Sequence, residues 1–172
     1  MRLIIGLIVS LWAGAAIAAP RDAVFPSIDG GNIALSDFAG KPILVVNTAS
    51  QCAFTRQYAG LQDLHDKYSS RGLIVLAVPS DDFNQELESA AEVKEFCEIN
   101  YNLTLPMTDL THVRGGKAHP FYKAVKAETG FVPKWNFNKV LIDGTGAVVA
   151  TWGSSARPDS AAVLGEIEKL LN

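Results

Sequence analysis

Cys52 lies where a strand pattern gives way to a helix pattern. The apolar, largely β-branched run at 43–46 before it is typical of a strand buried on both faces. The residues after it that fall on one helical face predict a helix starting near 53–56; they are Tyr58, Leu61, Leu64, His65 and Tyr68. Because free backbone N–H groups and the helix dipole favour an anion at a helix N-terminus, a thiolate would be stabilised at Cys52. The pattern therefore indicates a candidate reactive cysteine.

The residues around Cys52 also permit a second interpretation. Most free cysteines are small buried hydrophobes that contribute packing and no chemistry. Reactivity depends on local charge and exposure, which this stretch alone does not decide. The rest of the chain has to distinguish the two.

Peroxide cleavage is one reaction that such a thiol could perform. It needs an ionised sulfur, donors that stabilise the leaving oxygen, and a way to reverse the sulfenic acid that forms. Neutral side chains that carry N–H groups suit the second requirement because they do not titrate. The chain offers Gln85 in a polar loop at 79–87, and Trp135 and Asn136 in a loop before a later strand.

The order of the elements predicts that the Gln85 loop lies close to Cys52. A second apolar run at 73–78 follows the predicted helix, and strand–helix–strand order implies parallel pairing. In open α/β sheets, sites form where the carboxyl ends of such strands release their loops. We therefore expect Cys52 and Gln85 on the same rim of the sheet.

The whole pattern predicts a single α/β domain. Its order is ββ-α-β-α-β-α-β-β-α, which indicates a thioredoxin-like three-layer α/β/α sandwich with a mixed central sheet. Ser89 and Glu92 form a predicted capping box at the start of the second helix, and His119 a predicted cap of the third. Residues 103–107 are expected to be extended, and a hairpin is predicted over 140–152.

The first 19 residues have the layout of a secretory signal peptide. Arg2 supplies a positive charge, residues 3–12 are apolar, and Ala16-Ile17-Ala18 fits a cleavage site. An uncleaved anchor is the alternative, but the apolar stretch is short for a bilayer span. We expect a mature domain over 20–172 that is periplasmic or secreted, with no stable membrane association after cleavage.

Composition excludes several classes of function. The 172 residues contain 15 Lys and Arg against 18 Asp and Glu, with no basic footprint for nucleic acid. The only cysteines are Cys52 and Cys97, so there is no Cys-x-x-Cys pair, and the three histidines are spread widely. This argues against a metal centre and a general disulfide oxidoreductase. We expect no metal or other cofactor, and a monomer because long insertions are absent.

Three separated segments together resemble the glutathione peroxidase family in its cysteine-based branch. Residues 47–55 resemble the motif N-x-A-S-x-C-G-x-T, 83–86 resemble F-x-x-Q-E, and 135–139 resemble W-N-F-x-K. The similarity runs from about residue 25 to the C-terminus. It implies a catalytic tetrad, and its members would be Cys52, Gln85, Trp135 and Asn136. It also implies reduction of hydrogen peroxide and of small organic or lipid hydroperoxides through a sulfenic acid on Cys52.

The resemblance assigns a role to Cys97 as well. In this branch a second cysteine, on the helix after the Gln loop, often condenses with the sulfenic acid, and Cys97 lies at or within one position of that place. The resulting disulfide would be reduced by a thioredoxin-like protein or by glutathione. Core packing is the alternative for Cys97, because the helix would have to unwind for resolution.

Two departures from the family pattern bear on the site. Ala53 replaces a glycine, which requires a negative φ there. The Gln loop is one residue short, with Leu87-Glu88 in place of Pro-Gly, so Asn84 could substitute for Gln85 as the donor. The competing class of function is a non-catalytic or redox-sensing thioredoxin-fold protein of the periplasm.

Overall fold

The computed structural model describes residues 18–171. Residues 1–17 of the predicted signal peptide, and with them most of its cleavage motif, lie outside the described residues. Within 18–171, no helix combines the length and the hydropathy needed to cross a bilayer.

The described chain forms six strands and four α-helices. The strands are β1 (Val24–Pro26), β2 (Asn32–Ala34), β3 (Ile43–Thr48), β4 (Ile74–Pro79), β5 (Lys139–Ile142) and β6 (Val148–Trp152). The helices are α1 (Gln57–Tyr68), α2 (Ala90–Tyr101), α3 (Pro120–Thr129) and α4 (Ala161–Leu170).

A four-stranded mixed sheet organises the fold, in the order β4-β3-β5-β6. β3 is parallel to β4, with Thr48 opposite Pro79, and antiparallel to β5. β1 and β2 form a separate antiparallel hairpin. The parallel pair confirms the prediction from strand–helix–strand order. It releases the Cys52 segment and the Gln85 loop from adjacent strand ends at one rim.

Two hydrophobic cores, one on each face of the sheet, give the three layers of the predicted thioredoxin-like sandwich. Residues of α1, α2 and α4 pack with Leu44, Val46 and Leu141 on one face. Residues of α3 and β1 pack with Val45 and Val140 on the other. This alternation along β3 and β5 follows from the two-residue repeat of a strand, and every residue of both strands is buried.

Helix caps form largely where the sequence predicts them. The Ser89 side chain accepts a hydrogen bond from the Glu92 backbone N–H, and the Glu92 carboxylate accepts one from the Ser89 N–H, which confirms the capping box. His119 caps α3 by accepting a hydrogen bond from the Phe121 N–H. Pro120 at the first position of α3 favours the start of that helix.

Two local predictions differ from the structure. Residues 103–107 form no strand; only Met107 pairs with Ala77, as an isolated bridge. Pro106 cannot donate to a ladder, which limits this pairing. The helix after Cys52 begins at Gln57, and residues 51–56 form turns instead.

Candidate active site

Cys52 lies in a tight turn, almost covered by its surroundings. The residue is 9% exposed, and its Sγ accepts a hydrogen bond from the Phe54 N–H at 3.4 Å. The Cys52 N–H donates to Thr55 Oγ1 at 3.0 Å, and the Thr55 hydroxyl lies 2.9 Å from the Ala49 carbonyl oxygen. These bonds fix the turn, so the sulfur points at a donor before any substrate arrives.

The position of Cys52 corrects one sequence expectation. Because α1 begins only at Gln57, the thiol does not lie at the helix N-terminus itself. Its donor is instead the Phe54 N–H of the preceding turn. Ala53 is not among the residues with positive φ, so alanine meets the requirement that replacing the family's glycine imposes.

The Gln85 loop is hydrogen-bonded directly to the Cys52 segment. The Gln51 N–H donates to the Gln85 carbonyl at 2.9 Å, and the Ser50 N–H donates to Glu86 Oε1 at 2.8 Å. These two hydrogen bonds, from Ser50 and Gln51 to Glu86 and Gln85, therefore hold the loop in place. Asn84 is exposed and has φ of +54°, a left-handed conformation that turns the chain sharply, and Gln85 after it is part-buried.

Glu86 is a site residue to which sequence reasoning assigned no role. It is 8% exposed, and its Oε1 also accepts the Leu87 N–H at 3.0 Å. Burial raises the pKa of Glu86 above its ordinary value. The signal that could have identified it is its place directly after Gln85 in the same motif. Its carboxyl group joins the two loops of the site.

Asn136 and Gln85 come together across the site. Asn136 is fully buried, and its Nδ2 donates to Gln85 Oε1 at 3.1 Å. This bond orients the Gln85 side chain so that its own amide N–H₂ is left free to donate elsewhere. Asn84 has no such bond among the described side chains, so Gln85 is the loop amide that is tied to Asn136.

Trp135 lies next to this pair at the rim. It is 41% exposed, and its ring packs against Phe83 with centroids 5.4 Å apart. The Trp135 carbonyl accepts hydrogen bonds from Asn47 Nδ2 at 3.0 Å and from Asn138 Nδ2 at 2.7 Å. Trp135 directly precedes the buried Asn136, whose partner Gln85 is part-buried, and its exposed side chain carries an indole N–H donor.

Asn47, at the end of β3, is a second residue that sequence reasoning left without a role. Its carbonyl oxygen accepts the Phe137 N–H at 2.6 Å, and its Oδ1 accepts the Asn138 N–H at 3.0 Å. Phe137 has φ of +60°, so the backbone turns sharply between the two bonds. Asn47 thus anchors the Trp135 segment to the strand that carries Cys52.

Buried polar atoms without a hydrogen-bond partner concentrate in these segments. Six of the eight such atoms among residues 18–171 belong to them or to α1; they are Thr48 Oγ1, Ser50 Oγ, Tyr58 Oη, His65 Nδ1, Glu86 Oε2 and Asn136 Oδ1. Native proteins keep few buried groups of this kind, and functional sites are one place that retains them. The region is therefore polar and incompletely paired.

Cys97 lies in the core beneath the site, on α2. It is a fully buried free thiol, and burial raises its pKa to about 12. The nearby Tyr58 hydroxyl opposes this rise only in part. In this conformation Cys97 is a neutral packing residue, as the alternative interpretation expected. A role in resolution requires α2 to open.

The chemistry available here is that of a thiol whose segment is hydrogen-bonded to the Gln85 loop, which is bonded in turn to Asn136. No three His, Cys, Asp or Glu side chains in the described part of the chain converge as metal ligands. The N–H groups of Gln85 and Trp135 cannot lose their protons at neutral pH, so groups of this kind are able to stabilise a negative charge that develops beside them.

Comparisons with known proteins identify the family. The family model GSHPx, described as glutathione peroxidase, matches residues 22–126. The hydroperoxy fatty acid reductase gpx1 of Synechocystis sp. is 44% identical over 156 residues, covering 84% of this chain and 91% of that protein. The glutathione peroxidase of Lactococcus lactis subsp. cremoris is 39% identical over 150 residues, covering 84% of this chain and 94% of that protein.

Solved structures show the same architecture. The crystal structure of Trgpx in apo form superposes with a TM-score of 0.71 at 29% identity, covering 90% of this chain and 96% of the other. A thiol:disulfide interchange protein DsbE from Chlorobium tepidum has a TM-score of 0.66 at 20% identity, covering 90% and 96%, which shows the shared thioredoxin-like fold alone. From the family match and the relatives together, the chain belongs to the glutathione peroxidase family and is a peroxidase.

Proposed function

We propose that the protein is a thiol peroxidase in which Cys52 is the nucleophile. The Cys52 thiolate attacks the terminal oxygen of a hydroperoxide, the O–O bond breaks, and the sulfur keeps that oxygen as a sulfenic acid. The other oxygen leaves and takes a proton, as an alcohol or as water. The observation that carries the proposal is the Asn136–Gln85 hydrogen bond of 3.1 Å, in a loop that is itself bonded to the residue before Cys52.

The neutral donors have a defined part in this step. Gln85 and Trp135 hold the peroxide and stabilise the negative charge that develops on its departing oxygen. Asn136 orients Gln85, and its remaining amide hydrogen is a further donor. Hydrogen peroxide and small organic or lipid hydroperoxides are the proposed substrates, since the half-exposed Trp135 leaves the rim open to solvent. The name of the Synechocystis relative, a hydroperoxy fatty acid reductase, supports the lipid class.

Cys97 is the proposed resolving cysteine. Its sulfur attacks the Cys52 sulfenic acid, an S–S bond forms, and the hydroxyl leaves with the Cys97 proton as water. Because Cys97 is fully buried in α2, this step requires local unwinding of that helix. A thioredoxin-like protein, or glutathione, then reduces the disulfide by thiol–disulfide exchange. Relatives named glutathione peroxidase-like peroxiredoxins, from Chlamydomonas reinhardtii and Schizosaccharomyces pombe, support a thiol or glutathione-type reductant.

Steady-state peroxide reduction, with thioredoxin and glutathione compared side by side, tests the proposal. Cys52→Ser should abolish turnover with either reductant. Cys97→Ser should complete one turnover and then accumulate a sulfenic acid that dimedone traps. Full turnover by Cys52→Ser would refute the nucleophile, and unchanged cycling of Cys97→Ser with thioredoxin would refute the resolving role. A Cys52–Cys97 disulfide with no peroxide-dependent rate would favour the redox-sensing alternative.

We also propose that residues 1–19 act as a cleaved signal peptide, so that the mature monomer works in the periplasm or outside the cell. Its support is the sequence layout of Arg2 followed by an apolar run and small residues. Fractionation of cells that express the full chain should place a shortened protein outside the cytoplasm. Gel filtration of that protein should give the mass of one chain.

A further inference from the structure

Lys139 is a buried titratable side chain that the proposed mechanism does not use. It is the first residue of β5, and it is completely inaccessible to solvent. No carboxylate within the described residues forms an ion pair with it. The ion pairs among those residues involve Lys94, His112, Arg157 and Lys169 instead. A lysine that is fully buried without a counter-ion is rare and demands an explanation.

The Lys139 amine joins two segments of the site. Its Nζ donates to Gln57 Oε1 at 2.5 Å and to the Phe137 carbonyl oxygen at 2.7 Å. Gln57 opens α1, the helix that follows the Cys52 turn, and Phe137 directly follows Asn136. No other side chain described for this protein bonds both of these segments through one atom.

The position of Lys139 in the sheet explains why it can do this. Lys139 pairs in register with Val46 of β3, and both precede the rim from which the Cys52 segment leaves. By the two-residue repeat of a strand, Lys139 shares its face with Leu141, which packs in the same core as Val46 and Cys52. Its long side chain therefore passes beneath the site and ends between the two loops.

The link extends through a chain of further hydrogen bonds. Gln57 Nε2 donates to the Ser154 carbonyl at 2.7 Å, and Ser154 Oγ accepts from Asn138 Nδ2 at 3.0 Å. The same Asn138 amide donates to the Trp135 carbonyl at 2.7 Å. Lys139 thus closes a ring of polar contacts around the Trp135 segment. Because a neutral amine retains two N–H donors, both of its bonds survive loss of the ammonium proton.

We propose that Lys139 is a positioning residue for the peroxide reaction, which holds the Trp135–Asn136 donors in place over the Cys52 turn by tying Phe137 to Gln57. The proposal rests on the proposed function for the role of those donors. Removing the link should leave the thiol reactive but loosen the groups that act on the leaving oxygen.

Two rates measured on the same variant separate these effects. Both are followed in a Cys97→Ser background, so that Cys52 is the one thiol that reacts. Reaction of Cys52 with hydrogen peroxide needs the donors, whereas alkylation by iodoacetamide needs only the thiolate. Lys139→Met should slow the peroxide reaction about tenfold or more, because misplaced groups lose rate steeply. It should change alkylation by less than about twofold, since the turn around Cys52 is held by Thr55 and Phe54.

Amide hydrogen exchange gives a readout that does not depend on activity. The Phe137 and Asn138 N–H groups, which both bond to Asn47, should exchange at least about tenfold faster in Lys139→Met, while those of β4 keep their rates. Gln57→Ala, which removes the other end of the link but keeps Lys139, should give the same pattern more weakly. It also serves if Lys139→Met does not fold.

Leu141→Ala is the matched control, since Leu141 is buried on the same face of β5 and makes no bond to either loop. It should lower stability without changing the ratio of the two rates. The proposal would be overturned if Lys139→Met left the ratio of the peroxide rate to the alkylation rate unchanged. It would also be overturned if Leu141→Ala shifted that ratio as much as Lys139→Met does. If the unsubstituted protein does not react with peroxide, the proposed function fails. The exchange experiment still decides whether Lys139 positions the segment: faster exchange at Phe137 and Asn138 in Lys139→Met supports this, and unchanged exchange refutes it.

Discussion

Asn136 is a fully buried amide whose nitrogen bonds Gln85 and whose oxygen has no partner among the described residues. A buried carbonyl oxygen without a donor costs stability, so the arrangement is retained against a folding cost. The free energy spent here keeps the Gln85 side chain in one orientation. At this scale, the site is a set of polar side chains whose hydrogen bonds are incomplete among the described residues.

Gln85→Ala should lower the rate constant for Cys52 with hydrogen peroxide by about tenfold to hundredfold, because one preorganised donor is lost. The backbone bond from Gln51 to the Gln85 carbonyl remains, so the loop should keep its place. Stopped-flow loss of the free thiol measures the effect. Asn84→Gly is the matched control, since glycine accepts the φ of +54° and removes the alternative amide. A larger loss in Asn84→Gly would make Asn84 the donor.

Lys139 predicts a pH dependence of stability whose sign follows from its pKa. Burial lowers that pKa from 10.5 to about 7 in the folded protein. Between these values the unfolded chain binds the proton that the folded protein has released, so stability rises as pH increases from about 7 to 10.5. The free energy of unfolding of the unsubstituted protein minus that of Lys139→Met should therefore increase with pH, by up to about 1.4 kcal/mol per pH unit.

Urea unfolding of both proteins at several pH values in that window measures the difference. The buried Cys97 thiol, whose pKa rises from 9.0 to about 12, contributes the opposite trend above pH 9, but it is present in both proteins and cancels. A difference that stays flat with pH would contradict the depressed pKa of Lys139.

At the scale of elements, α2 is the part of the fold that the proposed reaction must disturb. It buries only Val93 and Cys97, and its first turn is held by the Ser89–Glu92 capping box. A helix with so few buried side chains can open locally at less cost than one that packs through its whole length. The cap therefore sets part of the cost of exposing Cys97.

Ser89→Ala should accelerate disulfide formation after peroxide treatment, by up to about fivefold. Loss of an N-cap side chain destabilises a helix by about 1 kcal/mol, which raises the population of the opened form by about that factor. The rate of Cys52–Cys97 disulfide formation, followed by quenching and mass analysis, measures it. Ser160→Ala at the start of α4 is the control, because that helix has no side-chain cap. This substitution should leave the rate unchanged. Slower resolution in Ser89→Ala would mean that an intact α2 is required.

At the scale of the whole molecule, the fold is closed at the end of the sheet opposite Cys52. Arg21 is 8% exposed, and its guanidinium donates to the carbonyl oxygens of Leu35 at 3.4 Å, Lys41 at 2.9 Å and Asp143 at 2.5 Å. Lys41 precedes β3 and Asp143 follows β5, so one side chain joins both central strands to the N-terminal segment. Stability and chemistry thus depend on opposite ends of the sheet.

Arg21→Met should destabilise the protein by about 2–4 kcal/mol, since buried carbonyl oxygens lose charged donors. The rate constant of Cys52 with peroxide, measured well below the unfolding transition, should change by less than about twofold, because no site segment contacts Arg21 among the described residues. Thermal unfolding and stopped-flow kinetics on the same preparation check both parts. A rate loss in proportion to the stability loss would show that the two ends are coupled.

Sequence alone determined the features that depend on local patterns. The apolar runs before Cys52 and before the Gln85 loop predicted β3 and β4, because a strand that is buried on both faces is a continuous run of apolar residues. The Ser89–Glu92 spacing predicted the cap of α2, since those groups meet within one turn. The three family segments predicted the family, because each keeps its residue types at fixed local spacing.

The way in which distant segments meet follows from the packed chain and not from local patterns. Two hydrogen bonds of the site join residues far apart in sequence, Asn136 to Gln85 and Lys139 to Gln57. The burial that raises the pKa of Cys97 likewise comes from groups distant in the chain. Local periodicity carries no information about such contacts, and it also placed the start of α1 too close to Cys52. Whether a thiol is ionised or a lysine loses its proton depends on which groups the fold packs around it, and that is a property of the packed chain.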